Sequence, residues 1–123
     1  MPKGHIEHVN ITVSDPARSA ALFETLLGWH VRWQGPSRMG GHSIHVGTDD
    51  TYLALYTDGS DRRGQVKGVP LNHVGLLVDD LAAAERVVIE AGLKPFGHDD
   101  YEPGARFYFF DWDGVEFEVV SYA

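Results

Sequence analysis

The chain has 123 residues, enough for one domain with a substantial hydrophobic core. Eighteen acidic against 10 basic side chains leave a formal net charge of −8, which repels nucleic-acid phosphates and anionic lipids. The chain contains no cysteine, which excludes disulfides and thiolate metal ligands, and no apolar run of the roughly 18 residues that a membrane helix needs. We therefore expect a cytoplasmic protein that binds neither nucleic acid nor membrane, and whose metal ligands, if any, are histidines and carboxylates.

An internal repeat divides the sequence into two halves. Residues 7–15 align with residues 72–80, so that the two segments share a histidine near their start and an aspartate at their end. Each segment has the pattern of a strand that ends where a helix begins, and each predicted helix stops at a glycine, Gly28 or Gly92.

The first predicted helix is capped by Ser14 or Asp15 and the second by Asp79 or Asp80. Three strand-like runs follow each helix. We predict them at residues 30–34, 42–47 and 51–57, and again at residues 94–98, 105–111 and 115–122. Each half is thus predicted to be βαβββ, an α+β class. We expect one domain over residues 1–123, with module one at about 5–57, a polar linker at about 58–69 and module two at about 70–122.

Alternation along the strands places His8, His73 and Glu118 on sheet faces that point away from the helices. Two imidazoles and one carboxylate are the ligand set of a facial triad with open coordination positions. A single strand histidine is usually structural, and a glutamate in a terminal strand is usually solvated. The occurrence of both histidines at equivalent repeat positions favours a metal site.

The repeat and the segment 107–118 together resemble the vicinal oxygen chelate superfamily, which includes glyoxalase I, type I extradiol dioxygenases, fosfomycin-resistance enzymes and bleomycin-resistance proteins. In that segment an aromatic run precedes an Asp-x-Asp-Gly turn, and Glu118 lies four residues after Gly114. Trp112 stands where the family usually has proline. The resemblance covers about residues 5–122.

The resemblance implies two tandem βαβββ modules that curl into a cup-shaped mixed sheet, with the helices on the outer face, usually in a homodimer. It implies a divalent metal bound by His8, His73 and Glu118. Iron(II) is favoured, and manganese, nickel, cobalt or zinc are alternatives. It also implies a small-molecule substrate that reaches the metal through two adjacent oxygens.

One departure from the family pattern narrows the range of candidate reactions. Glyoxalase I has a fourth ligand, a glutamate at the end of module one, and the matching position here is Ala54 or Leu55. Open coordination positions suit an extradiol dioxygenase, which is our first expectation. Glyoxalase-like lyase or isomerase and fosfomycin-type resistance enzyme are alternatives. A metal-free drug-binding protein of the bleomycin-resistance type, favoured by the acidic surface, is the alternative of another class.

Three side chains are candidates for catalysis beside the metal. Tyr108 lies ten residues before Glu118, where extradiol and fosfomycin-type enzymes carry a tyrosine, although a core aromatic would fit equally well. His42 or His45 in the middle strand of module one is a candidate general base, with an edge or surface histidine as the alternative.

Three further side chains are candidates for substrate binding. Trp33 and Tyr52 are expected to form the wall of an aromatic pocket, or else to pack within the protein. Arg106 is expected to bind an anionic substrate group, or else to form a surface salt bridge.

Overall fold

The computed structural model describes residues 2–38, 40–60, 65–100 and 104–123. The chain divides into two compact units, residues 1–62 and 63–123. Among the described residues, each unit has one helix and a four-stranded mixed sheet, in the order βαβββ. The predicted α+β class and its two modules are thereby confirmed.

Unit one contains the first half of the repeat. Its elements are β1 (His8–Thr12), α1 (Pro16–Leu27), β2 (His30–Pro36), β3 (His42–Gly47) and β4 (Tyr52–Thr57). The sheet has the strand order β1-β4-β3-β2. Strand β1 runs parallel to β4, and the other pairs are antiparallel.

Unit two repeats this plan. Its elements are β5 (Val74–Leu77), α2 (Leu81–Glu90), β6 (Phe96–Asp99), β7 (Ala105–Phe110) and β8 (Glu116–Ser121). The sheet has the strand order β5-β8-β7-β6, with β5 parallel to β8 and the other pairs antiparallel.

Both helices begin at the caps that the sequence allows. The carboxylates of Asp15 and Asp80 each accept a hydrogen bond from the third helical N–H, at 3.1 and 3.0 Å. Gly28 ends α1 with φ of 69°, and Gly92, with φ of 86°, follows the last residues of α2. Both conformations are left-handed and favour glycine. Among the described residues, no helix combines the length and apolar character needed to cross a membrane.

The core of each unit lies between the helix and one face of the sheet. In unit one the helix-facing strand positions are apolar and buried, and in unit two Phe117 and Val119 are almost fully enclosed. The main apolar core residues are Ile11, Val13, Leu22, Phe23, Leu26, Ile44, Val46, Leu53, Leu55, Leu76, Val88, Phe107, Phe109, Val115, Phe117 and Val119. The opposite sheet surface, called here the open face of its unit, is left for polar and aromatic side chains.

The two helix caps give a direct test of the local structure. Asp15→Ala and Asp80→Ala should each lower the free energy of unfolding by about 1 kcal/mol, because a helix N–H loses its acceptor. Urea unfolding monitored by circular dichroism measures this. Asp15→Asn and Asp80→Asn retain an acceptor oxygen and should remain close to the unsubstituted protein. Equal losses in the alanine and asparagine variants would contradict the capping role.

Candidate functional site

Four of the predicted site residues meet on the open face of unit two. The Nε2 atom of His73 lies 3.0 Å from Oε1 of Glu118, and the Nη1 atom of Arg106 donates to Oε2 of Glu118 at 2.7 Å. Tyr108 is directly opposite Glu118 in the β7–β8 ladder. Its ring meets that of His73 edge-on, with centroids 5.9 Å apart. The structure therefore brings both unit-two ligand candidates together with Tyr108 and Arg106.

Glu118 is held between two cationic or proton-donating partners. Its side chain is only 13% exposed and that of Arg106 only 12%, so solvent screens this pair weakly. Arg106 also donates to the carbonyl of Gly104 at 3.3 Å. In this structure the arginine predicted for substrate binding thus binds a protein carboxylate. The contact arises because Arg106 and Tyr108 alternate onto the same face of β7 as Glu118 on β8.

A second carboxylate, Glu116, lies on the same strand face two residues before Glu118. It is 4% exposed and forms a 2.6 Å ion pair with the ammonium group of Lys67. Its Oε2 atom is 3.9 Å from Nδ1 of His73. No role was predicted for Glu116 from the sequence, because no local pattern links it to Lys67, 49 residues earlier. The ammonium group of Lys67 thus compensates the negative charge of Glu116.

Both candidate histidine ligands are oriented by the residue that precedes them. Nδ1 of His73 lies 2.7 Å from Oδ1 of Asn72, and Nδ1 of His8 lies 3.0 Å from Oε1 of Glu7. These acceptors occupy equivalent positions in the repeat. With the oxygens as acceptors, each Nδ1 carries a proton, and Nε2 is the ring nitrogen left for another partner. Sequence reasoning aligned these two neighbours without recognising them as orienting groups.

The His73–Glu118 pair combines two side chains that divalent metals accept as ligands. At 3.0 Å its Nε2 and Oε1 atoms share a hydrogen bond, so a proton lies between them in this structure. An imidazole nitrogen and a carboxylate oxygen are ligands of divalent metals, so the donor set fits a divalent cation that would take the place of this proton.

His8 belongs to unit one, whereas His73 and Glu118 belong to unit two. Within residues 2–38, 40–60, 65–100 and 104–123, no group of three or more His, Asp or Glu side chains is arranged to hold a metal ion. The three-residue ligand set stays a prediction.

The open face of unit one carries a row of stacked rings. His8 stacks on Tyr52 with centroids 4.9 Å apart, and Tyr52 stacks on His45 at 4.6 Å. His45 contacts the indole of Trp33 at 5.0 Å. These four predicted site residues are therefore neighbours. His42 alternates to the opposite face of β3 and does not join them.

An irregularity in β2 adds a cation to this row. Val31 pairs with Val46 in the core, but Trp33 pairs with His45 on the open face, so the register shifts between them. The intervening Arg32 places its guanidinium 4.4 Å from the centre of the Tyr52 ring and donates to the carbonyl of Thr48 at 3.1 Å. No sequence signal predicts this bulge, so the place of Arg32 beside Tyr52 was not predicted.

The strand pairing also shows which residue of unit one corresponds to Glu118 of unit two, which pairs with Gly75 on β5 and with Tyr108 on β7. Ala54 pairs with Asn10 on β1 and with His45 on β3, and all three lie on the open face. Leu55 is 1% exposed on the helix side. Ala54 is therefore at that position, and the nearest ionisable cross-strand neighbour is an imidazole instead of a carboxylate.

The surroundings of His45 favour its neutral form. Burial lowers the pKa of His45 below its usual 6.5, and electrostatic interactions with His8 and Arg32 lower the pKa further, while Glu7 opposes them. A neutral imidazole at physiological pH can accept a proton, as a general base must.

This shift predicts a pH dependence. His45 binds its proton at a higher pH in the unfolded state than in the folded state. The contribution of His45 to the free energy of unfolding is therefore complete above pH about 6.5 and decreases as the pH falls toward the pKa of the folded state. In an NMR titration His45 should protonate below pH 6.5, and Arg32→Gln should raise its midpoint. Arg18→Gln, which removes a charge not among the causes of the shift, should leave the midpoint in place. A midpoint at or above 6.5 would contradict the arrangement.

The open face of unit one contains a cavity of about 570 Å³, within the size range of small-molecule sites. Its described lining is Asn10, Trp33, Pro36, Ser37, Arg38, Gly40, Ser43, His45 and Tyr56. Trp33 and His45 were predicted for substrate binding and catalysis, respectively. Arg38 was not predicted, because a lone arginine in a turn carries no sequence signal of its own.

Comparison with models of known protein families gives a match over most of the chain. The family model described as Glyoxalase/Bleomycin resistance protein/Dioxygenase superfamily matches residues 5–119. A search of curated proteins finds no match.

Solved structures share the fold at low sequence identity. A glyoxylase/bleomycin resistance protein/dioxygenase domain from Frankia sp. EAN1pec has a TM-score of 0.82 and 21% identity, covering 98% of both chains. The trypanothione-dependent glyoxalase I of Leishmania major has a TM-score of 0.79 and 18% identity, covering 98% of this chain and 88% of that chain. The fosfomycin resistance protein FosX of Listeria monocytogenes, complexed with Mn(II) and sulfate, has a TM-score of 0.74 and 13% identity, covering 98% and 93%.

Proposed function

Because the chain belongs to the glyoxalase/bleomycin resistance protein/dioxygenase superfamily, we propose that it is a metal-dependent enzyme whose substrate binds through two adjacent oxygens. The first reaction to expect is extradiol-type cleavage of a diol with iron(II). The observation that carries the proposal is the His73–Glu118 pair at 3.0 Å, with Nδ1 of His73 already engaged by Asn72. By the family resemblance, His8 completes the ligand set.

A bound metal would act as a Lewis acid and would orient the two substrate oxygens. Asn72 and Glu7 hold the two imidazoles in the tautomer that presents Nε2. Arg106 fixes one oxygen of Glu118 and leaves the other directed at His73. These contacts pre-orient the ligands before the substrate arrives.

Proton movement is assigned to two residues of the chain. His45 accepts a proton from a substrate hydroxyl, since its lowered pKa keeps the imidazole neutral. His45 is preferred to His42 because it shares the open face with His8, whereas His42 does not. The Tyr108 hydroxyl donates a hydrogen bond to a substrate oxygen, in line with its place opposite Glu118.

Two alternatives are less well supported. Ala54 lacks the carboxylate that a glyoxalase I site needs for its fourth ligand, which weighs against ordinary glyoxalase chemistry. A metal-free binder of cationic drugs would need acidic groups, and none of the nine described residues lining the unit-one cavity is Asp or Glu. Fosfomycin-type chemistry, which uses manganese, stays open as an outcome of the metal test.

The metal content of the purified, untagged protein tests the ligand set. We expect close to one divalent metal per chain by mass spectrometry, and at least a tenfold loss in His73→Ala. The matched control is His98→Ala, because His98 forms a similar pair with Glu85 at 2.9 Å on the surface of the same unit. Absence of metal, and no uptake on adding each ion, would overturn the enzyme proposal.

The reaction is tested on protein reconstituted anaerobically with iron(II) and then exposed to air with catechols. Oxygen consumption and the appearance of a conjugated ring-opened product should both depend on His73 and Glu118. Turnover only with manganese, nickel or cobalt and without oxygen uptake would replace the dioxygenase assignment by one of the other metal-dependent reactions.

The orienting role of Asn72 is tested separately. Asn72→Ala should weaken metal affinity by about 10- to 100-fold, because His73 loses the acceptor for its Nδ1 proton. Asn72→Asp retains an acceptor oxygen and should bind metal at least as well as the unsubstituted protein. Calorimetric titration with Mn²⁺ measures both. Equal affinity for Asn72→Ala and the unsubstituted protein would contradict the orienting role.

A further inference from the structure

We propose that the cavity on the open face of unit one binds a flat organic anion, with its ring against Trp33 and its oxyanion group on Arg38. The inference deepens the proposed function, on which the identification of this ligand as the substrate rests. It commits to a chemical class, an aromatic or conjugated ring that carries a carboxylate-like group.

The apolar wall of the cavity is held in place by its neighbours. The Trp33 indole is 47% exposed, although its ring packs against His45 with centroids 5.0 Å apart. A Cβ atom on Gly35 would lie 3.0 Å from the indole, so the absence of a side chain there lets the ring lie close over β2. A large aromatic surface that stays exposed while its orientation is fixed suits stacking against a flat ligand.

The polar groups of the cavity include one guanidinium and several hydrogen-bond donors. Arg38 is the only permanently charged side chain among the nine described lining residues, His45 is a neutral imidazole, and none of the nine is a carboxylate. The sequence carries 18 acidic residues and a net charge of −8, whereas the described residues of this cavity include no acidic side chain. Asn10 and Ser43 add an amide and a hydroxyl. Such a surface attracts an oxyanion and repels a cation.

Arg38 is available to a ligand. Within the described residues it makes no hydrogen bond or ion pair, unlike Arg32, which donates to Thr48, and Arg106, which binds Glu118. A guanidinium presents planar donors that match a carboxylate in a bidentate contact. Its fork can therefore bind the anionic group of a ligand without first breaking a protein contact.

The turn that carries Arg38 is braced on both sides. Ser37 and Ser43 share a 2.7 Å hydroxyl contact across the turn, and the backbone N–H of Ser37 donates to the carbonyl of Gly41 at 3.0 Å. The Tyr56 hydroxyl donates to the carbonyl of Gly40 at 3.2 Å. Gly41, with φ of 82°, leaves no room for a Cβ beside the Thr57 carbonyl. The rim of the cavity is thus positioned before a ligand arrives.

Three probes with one ring system and different charges test this class. Metal-free protein, treated with chelator, is titrated with 2-naphthoate, 2-naphthamide and 2-naphthamidine, and binding is followed by backbone NMR shifts at Ser43 and His45. We expect the anion to bind about fivefold more tightly than the neutral amide, a modest ratio because Arg38 is exposed, and the cation to bind least.

Two variants separate the two halves of the contact. Arg38→Gln should reduce the preference for naphthoate over naphthamide to about one, whereas Arg86→Gln, the matched surface control on α2, should preserve it. Trp33→Leu should weaken naphthoate and naphthamide equally, and Trp33→Phe should restore most of the loss. Circular dichroism confirms that each variant is folded.

The outcomes are distinct from those of the metal test. Equal binding of the three probes, or an anion preference that survives Arg38→Gln, would overturn the anion assignment even if the metal site is present. Selective naphthoate binding to a protein that takes up no metal would keep the cavity assignment and overturn the proposed enzyme. Shifts confined to residues outside the cavity would also contradict the proposal.

Discussion

The rest of the structure depends on the requirement that each sheet bury one face beneath its helix. Because successive strand residues alternate between the two faces, burial of Ile11, Phe117 and Val119 forces their neighbours onto the open face. A register slip of one residue would exchange core and open-face side chains throughout the strand. Packing of the helix-side core in each unit therefore fixes the sheet face on which His8, Tyr52, His45 and Glu118 lie.

On the open face of unit two, the alternation of strand residues brings two acidic side chains close together. Glu116 and Glu118 emerge on one side of β8, where the sheet would otherwise place two carboxylates side by side. Lys67 compensates one, and His73 and Arg106 compensate the other. This separation leaves one carboxylate oxygen of Glu118 directed at an imidazole nitrogen and the other at a guanidinium. Because both carboxylates are largely buried, each needs a nearby opposite charge to offset the free energy of its desolvation.

The open face of unit one is different in chemical character. Its rings stack in a row from His8 to Trp33, Arg32 lies over the Tyr52 ring, and the described residues of the cavity lining include Arg38 but no carboxylate. A repeated scaffold thus carries a carboxylate-bearing site in one half and an aromatic, cationic surface in the other. Ala54, which stands where the second half has Glu118, is the clearest residue-level difference between them.

The sequence by itself determined the repeat, the helix limits and the faces of the regularly alternating strands, because these follow from local spacing and from the capping chemistry of Asp15, Asp80 and the glycines. The bulge in β2 breaks that alternation and was not determined in this way. It left open which residue of β4 is the counterpart of Glu118 and which of His42 and His45 lies on the open face, because both depend on strand register. Only the tertiary structure decided that Ala54 pairs with His45, that Arg32 lies over the Tyr52 ring at a bulge, and that Lys67 pairs with Glu116. Those features join residues far apart in the chain, and their partners are chosen by packing and charge compensation, which leave no periodic trace in the sequence.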